Sequence, residues 1–372
     1  MSVHVSRKGI AATTASVASF HYYDLWSAAR TWDGGVFPGP GSSVQIPSTQ
    51  IVLLDVVPPP LFSLVIDGGK LVFDQMDLAL ETSYLLIVNG GHLEIGTESN
   101  PFRYHCVITL MESHVEPSLP FFGTGVLGLS DGIVDIHGLP HITWTRFRDT
   151  AMAGATQLQL ERPVQWQSGD TIVVGSSTAN VEDAEEAQVQ SVSADGMTIT
   201  LTQPLVSGYL GPKETDEGPG CNPVRLATEM GLINRNIVLR RGGVTVAPTV
   251  PGGATLRMAH VSMDASTHLA GRYLVHIYKA ELVPGSYVSG CSIVASTGGI
   301  RSTSSRGLYV RDNVFVTGGD AIFAEYCHDI VIQNNFATAL AQSDLTSPPR
   351  AMFTISTPSG RSQVSGNAAS GS

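Results

Sequence analysis

The chain has 372 residues, 42% of them hydrophobic and only 14% charged, with a formal net charge of −11. A globular surface usually carries about 25% charged residues, so this one is unusually neutral. No Lys/Arg-rich run occurs anywhere, which excludes a duplex-binding face and an anionic-membrane anchor, both of which need clustered cations. No apolar stretch reaches the ~18 residues a membrane span requires.

In chain order, residues 1–24 read as a tail or cap. Arg7-Lys8 is followed by small and polar residues, which makes a weak secretory signal. Tyr22, Tyr23, Trp26 and Trp32 lie close together near this end. Such aromatics either stack on sugars or seal a first coil against solvent, and sealing is the plainer reading.

Residues 25–160 carry a repeat. Ile66-Asp67-Gly68-Gly69 precedes Lys70-Leu71-Val72-Phe73, and the same grammar returns 22 residues later as Val88-Asn89-Gly90-Gly91-His92-Leu93-Glu94-Ile95. An imperfect third copy runs from Leu129 to Ile136. Residues 226–340 repeat on the same period: Tyr287-Val288-Ser289-Gly290-Cys291 aligns with Tyr309-Val310-Arg311-Asp312-Asn313 and with Val331-Ile332-Gln333-Asn334-Asn335. A strand–turn unit this short cannot bury an apolar face alone and must stack on copies of itself. The expected fold is therefore all-β, a single parallel β-helix of ~22-residue coils spaced ~4.8 Å apart. Tyr287, Tyr309 and Val331 should be axial neighbours, with Cys291, Asn313 and Asn335 stacked at one corner.

Between the two runs of coils, residues 161–225 read as an insertion. Val189–Thr202 has hairpin alternation around Asp195-Gly196, a strong turn signal, and is expected to project from the solenoid with Trp166–Val174. Ala184–Ala187 is a candidate helical turn, and Gly208–Asn222 a loop. Residues 341–372 read as tail or linker. Four cysteines, Cys106, Cys221, Cys291 and Cys327, show no metal spacing. Cys291 and Cys327 are out of phase with the coil, so no bridge between them is expected.

The N-terminal residues resemble the eight-glycine domain of fibrocystins and cell-surface hyaluronidases. The likeness rests on Leu25-Trp26, Trp32-Asp33-Gly34-Gly35, Pro38-Gly39-Pro40-Gly41, Val44-Gln45-Ile46-Pro47, Leu53-Leu54-Asp55 with Pro58-Pro59-Pro60-Leu61, and Leu93-Glu94-Ile95-Gly96-Thr97-Glu98. His137-Gly138, Thr143–Arg146, Asn234–Ile237 and Gly285–Val288 carry it to about residue 339. The resemblance implies an extracellular, pectin-lyase-like, single-stranded right-handed parallel β-helix, in agreement with the period. In the hyaluronidase-like relatives the segment after the insertion typically reads Tyr-Pro-Ile-His-Phe-His; here it is Tyr273-Leu274-Val275-His276-Ile277-Tyr278. A later His-Gly corresponds to Thr303-Ser304 and a Gly-His to Gly319-Asp320, so three of four expected histidines are replaced.

Histidine suits those places because it titrates near neutrality or ligates metal; Tyr278 and Thr303 do not replace it. The chain is therefore expected to be a non-catalytic extracellular or cell-surface module of a larger protein, binding a glycan or protein and no nucleic acid. Arg272, Tyr278 and Arg301 are the candidate ligand contacts. The alternative is a hyaluronan- or polysaccharide-depolymerising enzyme using His276, Asp320 and Glu325, since paired carboxylates with shifted pKa cleave glycosidic bonds. No cofactor is implied. Asp312, Asp320, Glu325 and Asp329 would suit Ca²⁺ only if they converged, and solvated turn acids are the plainer reading. His137 and His141 read as turn histidines, and the spacing of His260, His268 and His276 as chance.

Overall fold

The computed structural model describes residues 22–111, 119–178, 180, 183–215, 224–248, 253–265, 273–295, 298–339, 352–356 and 361–370. Their secondary structure is almost entirely strand, broken by two short 3₁₀ turns, Ala29–Thr31 and Asp33–Gly35. Strands from successive coils pair in parallel along three faces. The first face is a ten-stranded sheet, from Asp24–Leu25 through Gly132–His137, Ala254–Ala259 and Arg306–Arg311 to Gln363–Ser365. The second and third belong to one sixteen-stranded network, because the long strand Leu78–Val88 pairs Cys106–Leu110 with its first half and Val126–Leu129 with its second. This is a parallel β-helix. Lys70 facing His92, and Tyr287, Tyr309 and Val331 in one row, keep the expected 22-residue period. Longer connections separate Gly91 from Gly132, Arg257 from Tyr287 and Val331 from Gln363, which are also paired.

Alternation along each strand sends one residue set inward. Ile136, Met258, Val288, Val310 and Ile332 stack as one buried column of the continuous core. At the N-terminal end Trp26, 2% exposed, meets Trp32 edge-to-face with centroids 4.7 Å apart, and the Trp32 indole N–H donates to the Trp26 carbonyl. These rings seal the coil.

One corner carries a side-chain ladder. Gly290, Asp312, Asn334 and Gly366 all take left-handed backbone, φ 52 to 65°, which glycine, aspartate and asparagine tolerate best. The residue after each turns inward. The Cys291 N–H donates to Asn313 Oδ1, the Asn313 N–H to Asn335 Oδ1 and the Asn335 N–H to Asn367 Oδ1, at 2.9–3.1 Å. Each Asn Nδ2 also donates to a backbone carbonyl of the coil before, Val288, Val310 and Ile332. The expected stack of Cys291, Asn313 and Asn335 thus gains a fourth member. Cys106, Cys291 and Cys327 are buried free thiols, with no bridge between Cys291 and Cys327; Cys221 lies outside the described residues.

The insertion differs from expectation in four ways. It is a six-stranded antiparallel sheet, ordered Trp144–Arg146, Glu229–Leu232, Thr171–Val174, Glu185–Val192, Thr198–Leu201 and Gln157–Gln159, so it starts and ends outside residues 161–225. The hairpin around Asp195-Gly196 is present, but Ala184–Ala187 leads into a strand, because Ala187 faces Ile172 in a paired register. Within the presumed loop, Lys213–Thr215 pairs Val224–Leu226. The sheet does not project freely. Trp144 and Val173 pack on Val314, Val316, Phe336 and Ala368 of the second face, and a Cβ on Gly231 would stand 2.6 Å from Val314 Cγ2. The β-helix then resumes in register, with Asp135 facing Arg257.

The last coil extends into residues 341–372. Phe353–Ser356, Gln363–Ser365 and Ala368–Ser370 add a strand to each face. Asn335 and Asn367 are 32 residues apart, so the 22-residue period does not reveal this coil.

Candidate ligand-binding cleft

The third face presents outward rows of side chains at about 4.8 Å intervals. One row runs Gly128, Thr245, His276, Arg301, Phe323 and Thr354; its neighbour runs Tyr278, Thr303, Glu325 and Ser356. A cleft of about 550 Å³ opens over these rows, floored by Thr245, His276, Tyr278, Arg301 and Thr303 and walled by Leu119–Val126. The wall fits because Gly128 lacks a side chain. A Cβ there would meet Phe122 Cδ1 and Leu86 Cδ2 at 2.8 Å, so the Phe122 ring lies directly on the sheet. Phe121 takes a left-handed φ of 67° and is 67% exposed at the rim, a conformation that costs free energy in a bulky residue and clusters at functional sites.

Arg301 is the centre of the floor. Its guanidinium carbon stands 4.9 Å from the Phe323 ring centroid and 5.5 Å from that of Tyr273. Its Nε donates to Thr303 Oγ1 at 3.4 Å. Among the described residues no carboxylate pairs with it. Aromatic faces hold a guanidinium by cation–π attraction without consuming its N–H donors. Tyr273 is fixed in turn, its hydroxyl donating to Asp320 Oδ2 at 3.0 Å while Thr354 donates to Oδ1. Burial and then the Arg301 charge lower the His276 pKa, so its imidazole is neutral at neutral pH. The Lys279 ammonium lies 5.2 Å from the Tyr278 ring centroid.

Of the residues singled out in the sequence, the cleft brings together His276, Tyr278 and Arg301. Glu325 lies beside Thr303, two strand spacings or about 10 Å along the axis from His276. Asp320 serves Tyr273 from the corner before Ile322–Glu325. Arg272 and His268 lie outside the described residues. Nor do the four acids converge: Asp329 pairs with Arg306 at 2.7 Å and accepts the Arg361 N–H, while Asp312 sits on the Asn-ladder corner. Among the described residues no group of three His, Cys, Asp or Glu side chains could hold a metal ion. His137 bonds the Tyr287 hydroxyl at 2.7 Å on the first face. Sequence reasoning missed Tyr273, Phe323, Thr245 and the Leu119–Val126 wall. Phe323 was within reach, being one 22-residue period from Arg301.

Residues 31–148 match the G8 domain. Fibrocystin-L of Mus musculus is 42% identical over 241 residues, covering 64% of this chain and 6% of that protein, and the Homo sapiens protein is 40% identical over the same extent. Fibrocystin of Mus musculus is 33% identical over 60% of this chain and 5% of its own length. The chain thus spans only a small fraction of these relatives. Among solved structures, the tailspike gp61 of Pseudomonas phage phi297 is similar at 10% identity and TM-score 0.24, over 82% of this chain and 66% of that one. The tailspike gp49 of Pseudomonas phage LKA1 is similar at 10% identity and TM-score 0.22, over 79% and 41%. Residues 31–148 thus carry a G8 domain, coils continue beyond it to Ser370, and the chain is similar to the fibrocystins over 60–64% of its length.

Proposed function

We propose that the chain is a non-catalytic, extracellular recognition module of a larger protein, and that the cleft on its third face binds an acidic glycan. The observation that carries this reading is Arg301: a guanidinium held between two aromatic rings, with no carboxylate of its own among the described residues, on the floor of a cleft rimmed by Phe121. Such a group offers a bidentate site to an anion, and the rim aromatics offer an apolar surface to a sugar ring. Similarity to the fibrocystins supports an adhesion-type role at the cell surface.

The competing reading is depolymerisation through His276, Asp320 and Glu325. Against it, Glu325 lies about 10 Å from His276 along the axis, Asp320 is engaged by Tyr273 and Thr354, and hydrolytic relatives carry histidine where this chain has Tyr278, Thr303 and Asp320. Losing one general acid or base removes about 10²–10⁴ in rate. Incubation with a glycosaminoglycan panel, scored for both binding and chain length, tests the two readings together. Binding of uronate-bearing chains with unchanged length is the expected result. Shortened chains, with shortening abolished by His276→Ala or Asp320→Ala, would establish the enzyme instead.

A further inference from the structure

The seam where the inserted sheet leaves and rejoins the coils holds a second, unrelated cluster. His141 lies on the way out, just before Trp144–Arg146; Arg235 lies on the way back, just before Ile237–Arg240. His260 occupies the left-handed corner, φ 56°, between the first and second faces. Its ring lies over Gly290, where an added Cβ would stand 2.6 Å from Nδ1. Arg235 is 5% exposed. Its Nε donates to the Gly290 carbonyl and its Nη1 to the Asn234 carbonyl, while Nη2 is buried with no partner among the described residues. Nδ1 of His141 and of His260 is likewise buried without a hydrogen-bond partner among the described residues, although the Gln165 and Gly290 carbonyls lie near the two rings.

Burying a guanidinium without a counter-charge is costly, and the surroundings supply little. Asp170 is within electrostatic reach but accepts from the Gln167 N–H and Asn234 Nδ2. Cys291, the other neighbour, is a thiol pushed up to about 11 by burial. His137 also faces His260 and is bonded to Tyr287. With both imidazoles neutral, the two Nδ1 atoms of the Nε2–H tautomers are acceptors and the seam suits a neutral hydrogen-bonding partner. With both protonated, the same three nitrogens all present N–H groups.

We propose that Arg235, His141 and His260 form a proton-gated site for a small inorganic anion of the halide class at the seam between the inserted sheet and the β-helix. Acid creates two further donors beside a guanidinium, and the anion accepts from them while offsetting one unit of the added charge. A ligand that binds only the folded state raises its unfolding midpoint, so occupancy is readable without any assay of glycan binding.

Thermal unfolding of the whole chain is followed at constant ionic strength, exchanging methanesulfonate for chloride from about 5 to about 200 mM, at about pH 4.5 and about pH 7.5. The expected result is a midpoint that rises by roughly 3–6 °C with chloride at the lower pH and is flat at the higher one. Arg235→Met should flatten both series. His260→Asn, which keeps a residue tolerant of left-handed backbone, should do the same if the Arg235 variant does not fold. Crystals grown with bromide at the acidic pH should show anomalous density against Arg235 Nη2. Equal midpoints in chloride and methanesulfonate at acid pH, or bromide-free density at that atom, would overturn the proposal.

Discussion

At Asn335 one side chain closes four hydrogen bonds: Oδ1 accepts from the Asn313 N–H and Nδ2, and Nδ2 donates to the Val310 carbonyl and Asn367 Oδ1. Asn335, Asn313 and Val310 all lie at 0% exposure, where a donor or acceptor left unpaired costs about 1–3 kcal/mol. Asn335→Ala should therefore destabilise the chain by about 3–5 kcal/mol, measured by urea unfolding, whereas Asn100→Ala at an exposed bend should cost under about 1 kcal/mol. His260 gives the opposite kind of sensitivity. Burial first, and then Arg235, depress its pKa from 6.5 to about 4. Between those values the unfolded chain binds more protons than the folded one, so stability is full above about pH 6.5 and is lost as pH falls toward about 4. The loss from this residue approaches about 3 kcal/mol, and burial depresses His137, His141 and His276 in the same direction. In a low-chloride buffer, His260→Asn should flatten the acid limb of a stability–pH curve; an unchanged limb would place the acid sensitivity elsewhere.

The inserted sheet is an element clamped at both ends. The Asn236 side chain accepts the Leu139 N–H and donates to the Phe102 and Tyr104 carbonyls, tying the exit, the return and the preceding coil together. The ion pair between Arg257 and Asp135, 2.6 Å long, joins first-face strands 122 residues apart. Docking on the second face depends on the bare backbone of Gly231. Gly231→Val should lift the sheet from Val314 and Phe336, raising hydrogen exchange in Trp144–Arg146 and Thr171–Val174 while first-face strands such as Val331–Gln333 keep their protection. Uniform protection across both regions would mean the docking is not set at this glycine. These contacts are invisible in the sequence, because they join residues more than eighty positions apart and follow no period. The coils themselves were legible: Gly68 and Gly90, or Tyr287, Tyr309 and Val331, share one spacing because each coil must meet its copy. The final coil was hidden by its longer connection, and the cleft by a wall contributed from about 180 residues before Arg301.

Across the whole molecule, one stack of coils does two things. Its inner columns form a continuous core from Trp26 to Met352, and its outer rows place side chains from distant segments side by side. The cleft belongs to the second effect: His276, Arg301 and Phe323 are neighbours because their strands are consecutive rungs of the third face. A recognition site of this kind needs no mobile part and no metal, only an unpaired cation fixed among aromatics. A charge-assisted bidentate contact is worth about 1.5–3 kcal/mol, which is about 10–100-fold in affinity. The most direct measurement is calorimetric titration of a uronate-bearing oligosaccharide into the wild-type chain and into Arg301→Gln, with the sugar's length read afterwards. The account predicts binding by the wild type, weakening by about 10–100-fold in the variant and an oligosaccharide of unchanged length in both. Equal affinity in the two proteins, or a shortened product from the wild type, would contradict it.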